Sequence, residues 1–248
     1  MCSYIGVKVS KLEFIKLKQL EKKIGVIATL KTLQSGFEYA DWAIIKANQA
    51  KTDIEIELAH WEFIPTWVKT ETALNAARKQ GIPWLNATAE KLLSSKMFSN
   101  AARQGRCLIP ISHFYEWRHF KHVGGKKPVT YPYIISVKNV EVFYVAGIYQ
   151  PYINSETGEL KNGFAIITTA ANELMAQIHN TKKRMPTILP EDLAHAWLFN
   201  TLNEKEIFEI ASFKIPTTTM QAYTISKNFR NLDNPIAAFL YEDLPPLF

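Results

Sequence analysis

Residues 106–117, Arg-Cys-Leu-Ile-Pro-Ile-Ser-His-Phe-Tyr-Glu-Trp, decide the fold. The run is apolar, β-branched and aromatic, which predicts a long strand. Pro110 has no N–H for a sheet ladder and predicts an interruption within it. Downstream, Lys121 to Lys127 reads as a basic loop around Gly124-Gly125, followed by strands near 131–138 and 141–149 that Asn139 separates. Asn154 to Gly158 reads as a hairpin connection. Phe164 to Thr169 is another apolar strand and leads into a helix over 172–179. Helices follow over 191–199 and 203–212, with Asn203 as a cap for the second. A late strand covers 218–225, and Pro245-Pro246 marks a loose tail.

Upstream, 84–93 leads to a helix near 94–104, and Thr70 caps a helix over 71–80. Ile54, Ile56 and Leu58 alternate with Glu55 and Glu57, a half-buried strand running on to Trp61 and Phe63 until Pro65 ends it. Trp42 to Ile45 reads as a buried strand. Leu12, Ile15 and Leu20 stand at helical spacing among charged residues, which predicts an amphipathic helix over 11–23. Residues 3–9 predict a short strand with Cys2 at its start. Strands scattered among helices without βαβ alternation imply an α+β fold. The expected architecture is a single domain over residues 1–248. Its core is mixed or antiparallel and β-barrel-like, with peripheral helices and a peripheral tail over about 228–248.

The 248 residues, 47% of them hydrophobic, suffice for a sizeable core. No apolar run is long enough for a membrane helix, and lysines interrupt any signal-peptide pattern. Two distant cysteines, Cys2 and Cys107, make neither a disulfide framework nor a zinc site, so no metal or cofactor is expected. The expected compartment is a reducing cytoplasm, and nothing points to a membrane partner. Net charge is +6, and the excess is concentrated: Lys69 to Lys127 holds eleven Lys or Arg against three acids. A basic middle segment points to a polyanion, with nucleic acid the first candidate.

Cys2 follows the initiator directly. If Met1 is removed, Cys2 carries an α-amine and a thiol on adjacent carbons. The amine titrates at about 7.7–8.0 in a model chain, so a fraction is nucleophilic at neutral pH. Such a 1,2-aminothiol condenses with an aldehyde to an imine, and the sulfur then closes a thiazolidine; it also serves as an N-terminal nucleophile on amides. The alternative is a frayed end without a role.

Glu116 stands between aromatics in Phe-Tyr-Glu-Trp. Desolvation there would raise its pKa and make it a general acid/base; a strand-end glutamate facing water is the alternative. His179 in Ile-His-Asn is either a base or a structural histidine. Asn86 in Leu-Asn-Ala fits a turn, and Cys107 fits a buried core position.

In order along the chain stand Met1-Cys2, Trp61-x-x-x-Pro65-x-Trp67, Asn86-Ala-x-Ala-Glu90, Arg106-Cys-Leu-Ile-Pro110 and Phe114-Tyr-Glu-Trp117. Thr168-Thr-Ala-Ala-Asn172, Ile178-His179 and Arg184-Met-Pro-x-Ile-Leu189 follow. The set resembles the SOS response-associated peptidase (SRAP) family, also described as abasic-site processing proteins, from Cys2 to about Trp197 and beyond. The resemblance implies an α+β domain with a barrel-like core that binds single-stranded DNA. It implies a covalent thiazolidine crosslink between Cys2 and the aldehyde of an abasic site, as part of a DNA damage response. By the same resemblance Asn86 positions the N-terminal residue, Glu116 shuttles protons and His179 assists opening of the sugar ring. Removal of Met1 by the protein itself and abasic-site lyase activity through the imine are also implied. Trp67 matches a tryptophan stacked near DNA, and Lys96 stands where a phosphate-binding Arg is common. Arg106 and Arg184 are further DNA-contact candidates. The rival readings are an N-terminal-cysteine amidohydrolase or peptidase unrelated to DNA and a non-catalytic single-strand binder.

The chain departs from the family pattern at several points. Ser3 and Tyr4 replace the usual Gly-Arg, Thr88 replaces an Arg, and Ile111-Ser112-His113 replaces Ala-Asp-Gly. Two extra residues sit between His179 and Arg184, and the Asn-Val-x-Pro-Gly stretch before Trp61 is missing. Lys182 and Lys183 are the expected substitutes for the lost phosphate contacts.

Overall fold

A computed structural model describes residues 2–8, 14–23, 31–81 and 83–247. The chain begins with β1 (Tyr4–Gly6), β2 (Phe14–Leu17), β3 (Leu20–Lys23), β4 (Gln34–Ser35), β5 (Asp41–Ala47) and β6 (Ile54–His60). Helix α1 (Glu71–Lys79), β7 (Asn86–Thr88) and α2 (Ser99–Gln104) lead to the central strands β8 (Arg106–Ile111) and β9 (His113–Phe120). Long strands follow: β10 (Val129–Val137), β11 (Phe143–Ile153) and β12 (Leu160–Ala170). The remainder is α3 (Glu173–Ile178), β13 (Arg184–Pro186), β14 (Ile188–Leu189), α4 (Glu191–Phe199), α5 (Glu204–Ala211) and β15 (Met220–Thr224).

Five strands close a barrel in the order β12, β6, β5, β8, β11 and back to β12. Every pairing in the ring is antiparallel except β6 with β12, which is parallel at Gly163 and His60. That seam needs a glycine, because a Cβ at Gly163 would lie 2.4 Å from the carbonyl oxygen of Glu62. A second, antiparallel sheet runs β15–β10–β9–β1–β4. The mixed, barrel-centred α+β architecture is therefore the expected one.

The 106–117 stretch joins the two sheets. It breaks at Ser112 rather than at Pro110, with β8 in the barrel and β9 in the second sheet. Ser112 N donates to Gly6 O at 2.9 Å, and Lys8 N donates to Ser112 Oγ at 2.6 Å. These bonds to the N-terminal segment hold the corner. Pro110 is tolerated because β5 pairs with β8 only at Leu108, so no ladder bond is asked of its nitrogen on that side.

The helix expected over 11–23 is corrected by the structure. Residues 14–23 form a β2–β3 hairpin, and residues 11–13 lie outside the described ones. Ile15 and Leu17 are both buried around exposed Lys16, a period of two that outweighs the helical spacing of Leu12, Ile15 and Leu20. The 94–104 helix starts later, at Ser99, and the strand at 54 ends at His60 instead of running on to Phe63. The tail is tethered rather than loose. Tyr241 OH donates to Ile225 O at 2.9 Å, Arg118 donates to Pro245 O at 2.6 Å, and Leu244 and Leu247 pack on the core.

The segment after β6 is anchored by charge. Glu62 is fully buried and accepts from Arg78 at 2.6 Å and 3.1 Å, while Arg78 also meets Glu71 and lies over the Tyr39 ring. Removing one partner strands the other in a desolvated place. Glu62→Ala is expected to lower unfolding free energy by about 3 kcal/mol in urea titration. A loss below about 1 kcal/mol would show that the pair is dispensable.

Candidate active site

Cys2 is 1% exposed and belongs to the apolar cluster of Ile5, Trp61, Leu85, Met175 and Ile178. A frayed terminus is thereby excluded. The register of β1 on β9, Ile5 to Phe114 and Gly6 to His113, carries the start of the chain along β9 toward Glu116. Gly6 permits this approach: a Cβ there would stand 1.9 Å from Thr32 O and 2.4 Å from His113 Nε2. The Cys2 thiol donates weakly to Tyr4 O at 4.0 Å. Burial, and next the nearby Glu116 carboxylate, push the thiol well above its ordinary range. A low-pKa thiolate is therefore not what this site offers, and the sulfur needs a base to react.

Glu116 lies on β9 and is 4% exposed. Burial raises its pKa to about 7, against the opposing pull of a backbone hydrogen bond at Trp117 and of the Lys182 charge. At neutral pH it is poised between acid and base. His179 ends α3, and its Nδ1 lies 3.9 Å from Glu116 Oε1. Nδ1 is also 2.9 Å from Arg184 O. A carbonyl only accepts, so Nδ1 carries the proton and Nε2 the lone pair, a tautomer assigned from the bonding pattern. Burial lowers His179 to about 4, so the ring is neutral at physiological pH. The next residue, Asn180, bonds to the backbone of His119 on β9 at both N–H and C=O. Sequence reasoning missed this contact, for which the only signal was an amide directly after the histidine.

Asn86 opens β7, which runs parallel to β12 with Asn86 beside Ile166. Its Oδ1 is buried and has no hydrogen-bond partner among the described residues. A buried acceptor without a donor is costly, about 1–3 kcal/mol, and fits a group supplied by something bound. Leu85, its neighbour, shares the apolar cluster with Cys2. Cys107 is buried inside the barrel, as expected of a core cysteine.

The DNA-contact candidates divide. Trp67 is 61% exposed on the loop between β6 and α1, and Lys96 is exposed before α2. Arg106 is turned inward: it donates to Trp197 O at 2.6 Å, Asn200 O at 2.7 Å and Arg103 O at 3.1 Å. Its charge closes the C-terminal end of α4, where free carbonyls favour a cation, and the expectation of a phosphate contact is corrected. Arg184 forms a bidentate pair with Glu90 at 2.6 Å and 2.9 Å and donates to Thr168 O. The pair holds the Glu90 carboxyl below its usual range and neutralises the arginine, so Arg184 is likewise committed within the fold. Arg78, Arg103 and Arg118 also bond within the chain. The basic excess of the middle segment thus reaches the surface through Lys69, Lys79, Lys91, Lys96, Lys121, Lys126 and Lys127, all exposed.

Among the described residues no cluster of metal-ligating side chains occurs, and no helix is long and apolar enough to cross a membrane. The family model described as SOS response associated peptidase (SRAP) matches residues 13–232. That span contains Asn86, Glu116 and His179 and leaves Cys2 to be read from the geometry. The chain is 32% identical over 166 residues to the abasic site processing protein YoqW of Bacillus subtilis, covering 67% of each. It is 25% identical over 193 residues to the abasic site processing protein YedK of Escherichia coli, covering 77% of each. Among solved structures, a protein from Bacteroides thetaiotaomicron superposes with a TM-score of 0.73 at 31% identity, covering 84% of this chain and 85% of that one. With the family model matched over most of its length and its barrel shared with that structure, this chain belongs to the SOS response associated peptidase family.

Proposed function

We propose that the chain processes abasic sites in single-stranded DNA and does so by trapping them covalently on Cys2. The observation that carries this reading is a buried Cys2 running along β9 toward a Glu116–His179 pair 3.9 Å apart. Hydrolysis of the Met1–Cys2 peptide bond consumes one water and frees the α-amine. His179 Nε2 takes the proton of the sugar's anomeric hydroxyl and returns it to the ring oxygen as the bond from that oxygen to the anomeric carbon breaks, so the ring opens to the aldehyde with no net change in protons. The amine adds to the aldehyde carbon, and Glu116 in its acid form protonates the departing hydroxyl, so water leaves and an imine forms. The S–H then adds across C=N: sulfur bonds to carbon, Glu116 accepts the thiol proton, and nitrogen is protonated in turn. The crosslinking step loses one water overall and needs no oxidant or cofactor. Asn86 Oδ1 is suited to accept from the Cys2 amine and hold it in line.

Exposed Trp67 serves as a stacking platform, and exposed lysines track the phosphates. Lys182, whose charge is felt by both Glu116 and His179, is exposed and with Lys183 takes over lost phosphate contacts. The double variant Lys182→Glu, Lys183→Glu is expected to weaken single-strand binding and to flatten the salt slope by about one or two contacts. Unchanged affinity and slope in a salt titration would remove these lysines from the interface.

The reading is tested by incubating the processed chain with an abasic and an intact oligonucleotide and resolving the products on a denaturing gel. A shifted band with the abasic strand alone is expected. No shift with either strand would refute covalent trapping.

A further inference from the structure

Strand β9 has two edges. One pairs with β10 from Phe114 to Phe120, with His119 opposite Thr130. The other is covered by β1 only at His113 and Phe114. Residues 2–4 run on along this edge toward Glu116, but at His119, among the described residues, no strand lies beside it, and a bare edge leaves backbone groups wanting partners. At His119 a side chain takes the strand's place. Asn180 Nδ2 donates to His119 O at 2.7 Å, and Asn180 Oδ1 accepts from His119 N at 3.1 Å. In an antiparallel strand both groups of one residue point the same way, so a single carboxamide reproduces the two bonds of a neighbouring strand.

The location gives the contact its consequence. Asn180 directly follows His179, and His119 is on the strand that carries Glu116. The turn is closed on its other side by Lys183 N donating to His179 O at 2.8 Å, with Lys183 in the left-handed region at φ 49°. Two bonds from one planar amide fix both distance and rotation, as a single bond would not.

We propose that Asn180 is the positioning residue of the site, clamping the α3–β13 turn to the open edge of β9 so that His179 is held against Glu116. The kinetic consequence rests on the crosslinking reading above; the geometric consequence does not. The groups facing His179 are Glu116 and His119 from β9 and Lys182 from its own turn. With the clamp intact the ring stays buried, and its titration lies near 4.

The test uses Asn180→Ala and Asn180→Asp in the processed chain. Aspartate keeps the acceptor for His119 N–H and loses the donor to His119 O, so it carries the test should the alanine variant fold poorly. The His179 ring-proton resonance, titrated by NMR without DNA, is expected to move up by more than about one on the pH scale in the alanine variant, with aspartate also above wild type. At saturating abasic oligonucleotide the crosslinking rate is expected to fall about tenfold in Asn180→Ala, with half-saturation unchanged. An unmoved His179 titration overturns the proposal, whatever the rate does. The titration shift in the variants, together with a wild-type chain that forms no crosslink, upholds the clamp and refutes only the crosslinking reading.

Discussion

Cys2→Ala is expected to abolish the stable adduct with abasic DNA, by more than about 10²-fold in yield. Alanine keeps the α-amine, so an imine still forms, but no sulfur is present to close the ring and the imine hydrolyses on denaturation. Borohydride added during the reaction should therefore recover a band from the variant, whereas the wild-type band should need no reductant. Removing one sulfur from the apolar cluster costs about 1 kcal/mol, too little to unfold the chain. An unreduced adduct that survives in Cys2→Ala would place the linkage on another nucleophile, a surface lysine first.

Glu116→Gln is the second large effect. Proton transfer by a placed carboxyl contributes about 10²–10⁴-fold, and glutamine keeps the shape without the proton. The pH profile makes the test specific. Below pH 7 in the wild type, both the amine and Glu116, with its pKa near 7, take up protons. The wild-type rate should then peak near pH 7, falling below it as the amine is protonated and above it as Glu116 loses the proton it donates, whereas the variant should keep only the fall on the acid side. Stability moves the other way. The folded pKa of Glu116 lies above its ordinary 4.5, so its contribution favours folding at acid pH and is lost as pH rises through about 7. Above that pH the glutamine variant should be the more stable, by about 2 kcal/mol in urea titration. A variant that is slower but no more stable at pH 8 would mean that the carboxylate is not desolvated as described.

Local signals in the sequence carried much of this fold. Thr70 caps α1 through a bond to Ala73 N, Asn203 and Glu206 form the capping box of α5, and Asn172 caps α3. Each of these depends on residues within one turn, and the caps at Thr70 and Asn203 are readable from spacing alone. What failed depends on distant partners. The break at Ser112 is made by Gly6 and Lys8, and the hairpin at 14–23 packs Ile15 and Leu17 on one side of a ribbon whose period a short window misreads. The same division holds at the site. Glu116 between aromatics was readable as a desolvated acid, since its own neighbours bury it. Arg106 and Arg184 were not readable, because the carbonyls of Trp197 and Asn200 and the carboxylate of Glu90 claim them from far along the chain. The state of the thiol was not readable either, because burial, and next the Glu116 carboxylate from far along the chain, hold it protonated.

The measurement closest to the central claim is the intact mass of the adduct, followed by mapping of the crosslinked peptide after protease and nuclease digestion. The account predicts the mass of the chain without Met1 plus the abasic strand minus one water, with the modification on the peptide that begins at Cys2. An adduct that retains Met1, or one mapped to a lysine, would contradict it.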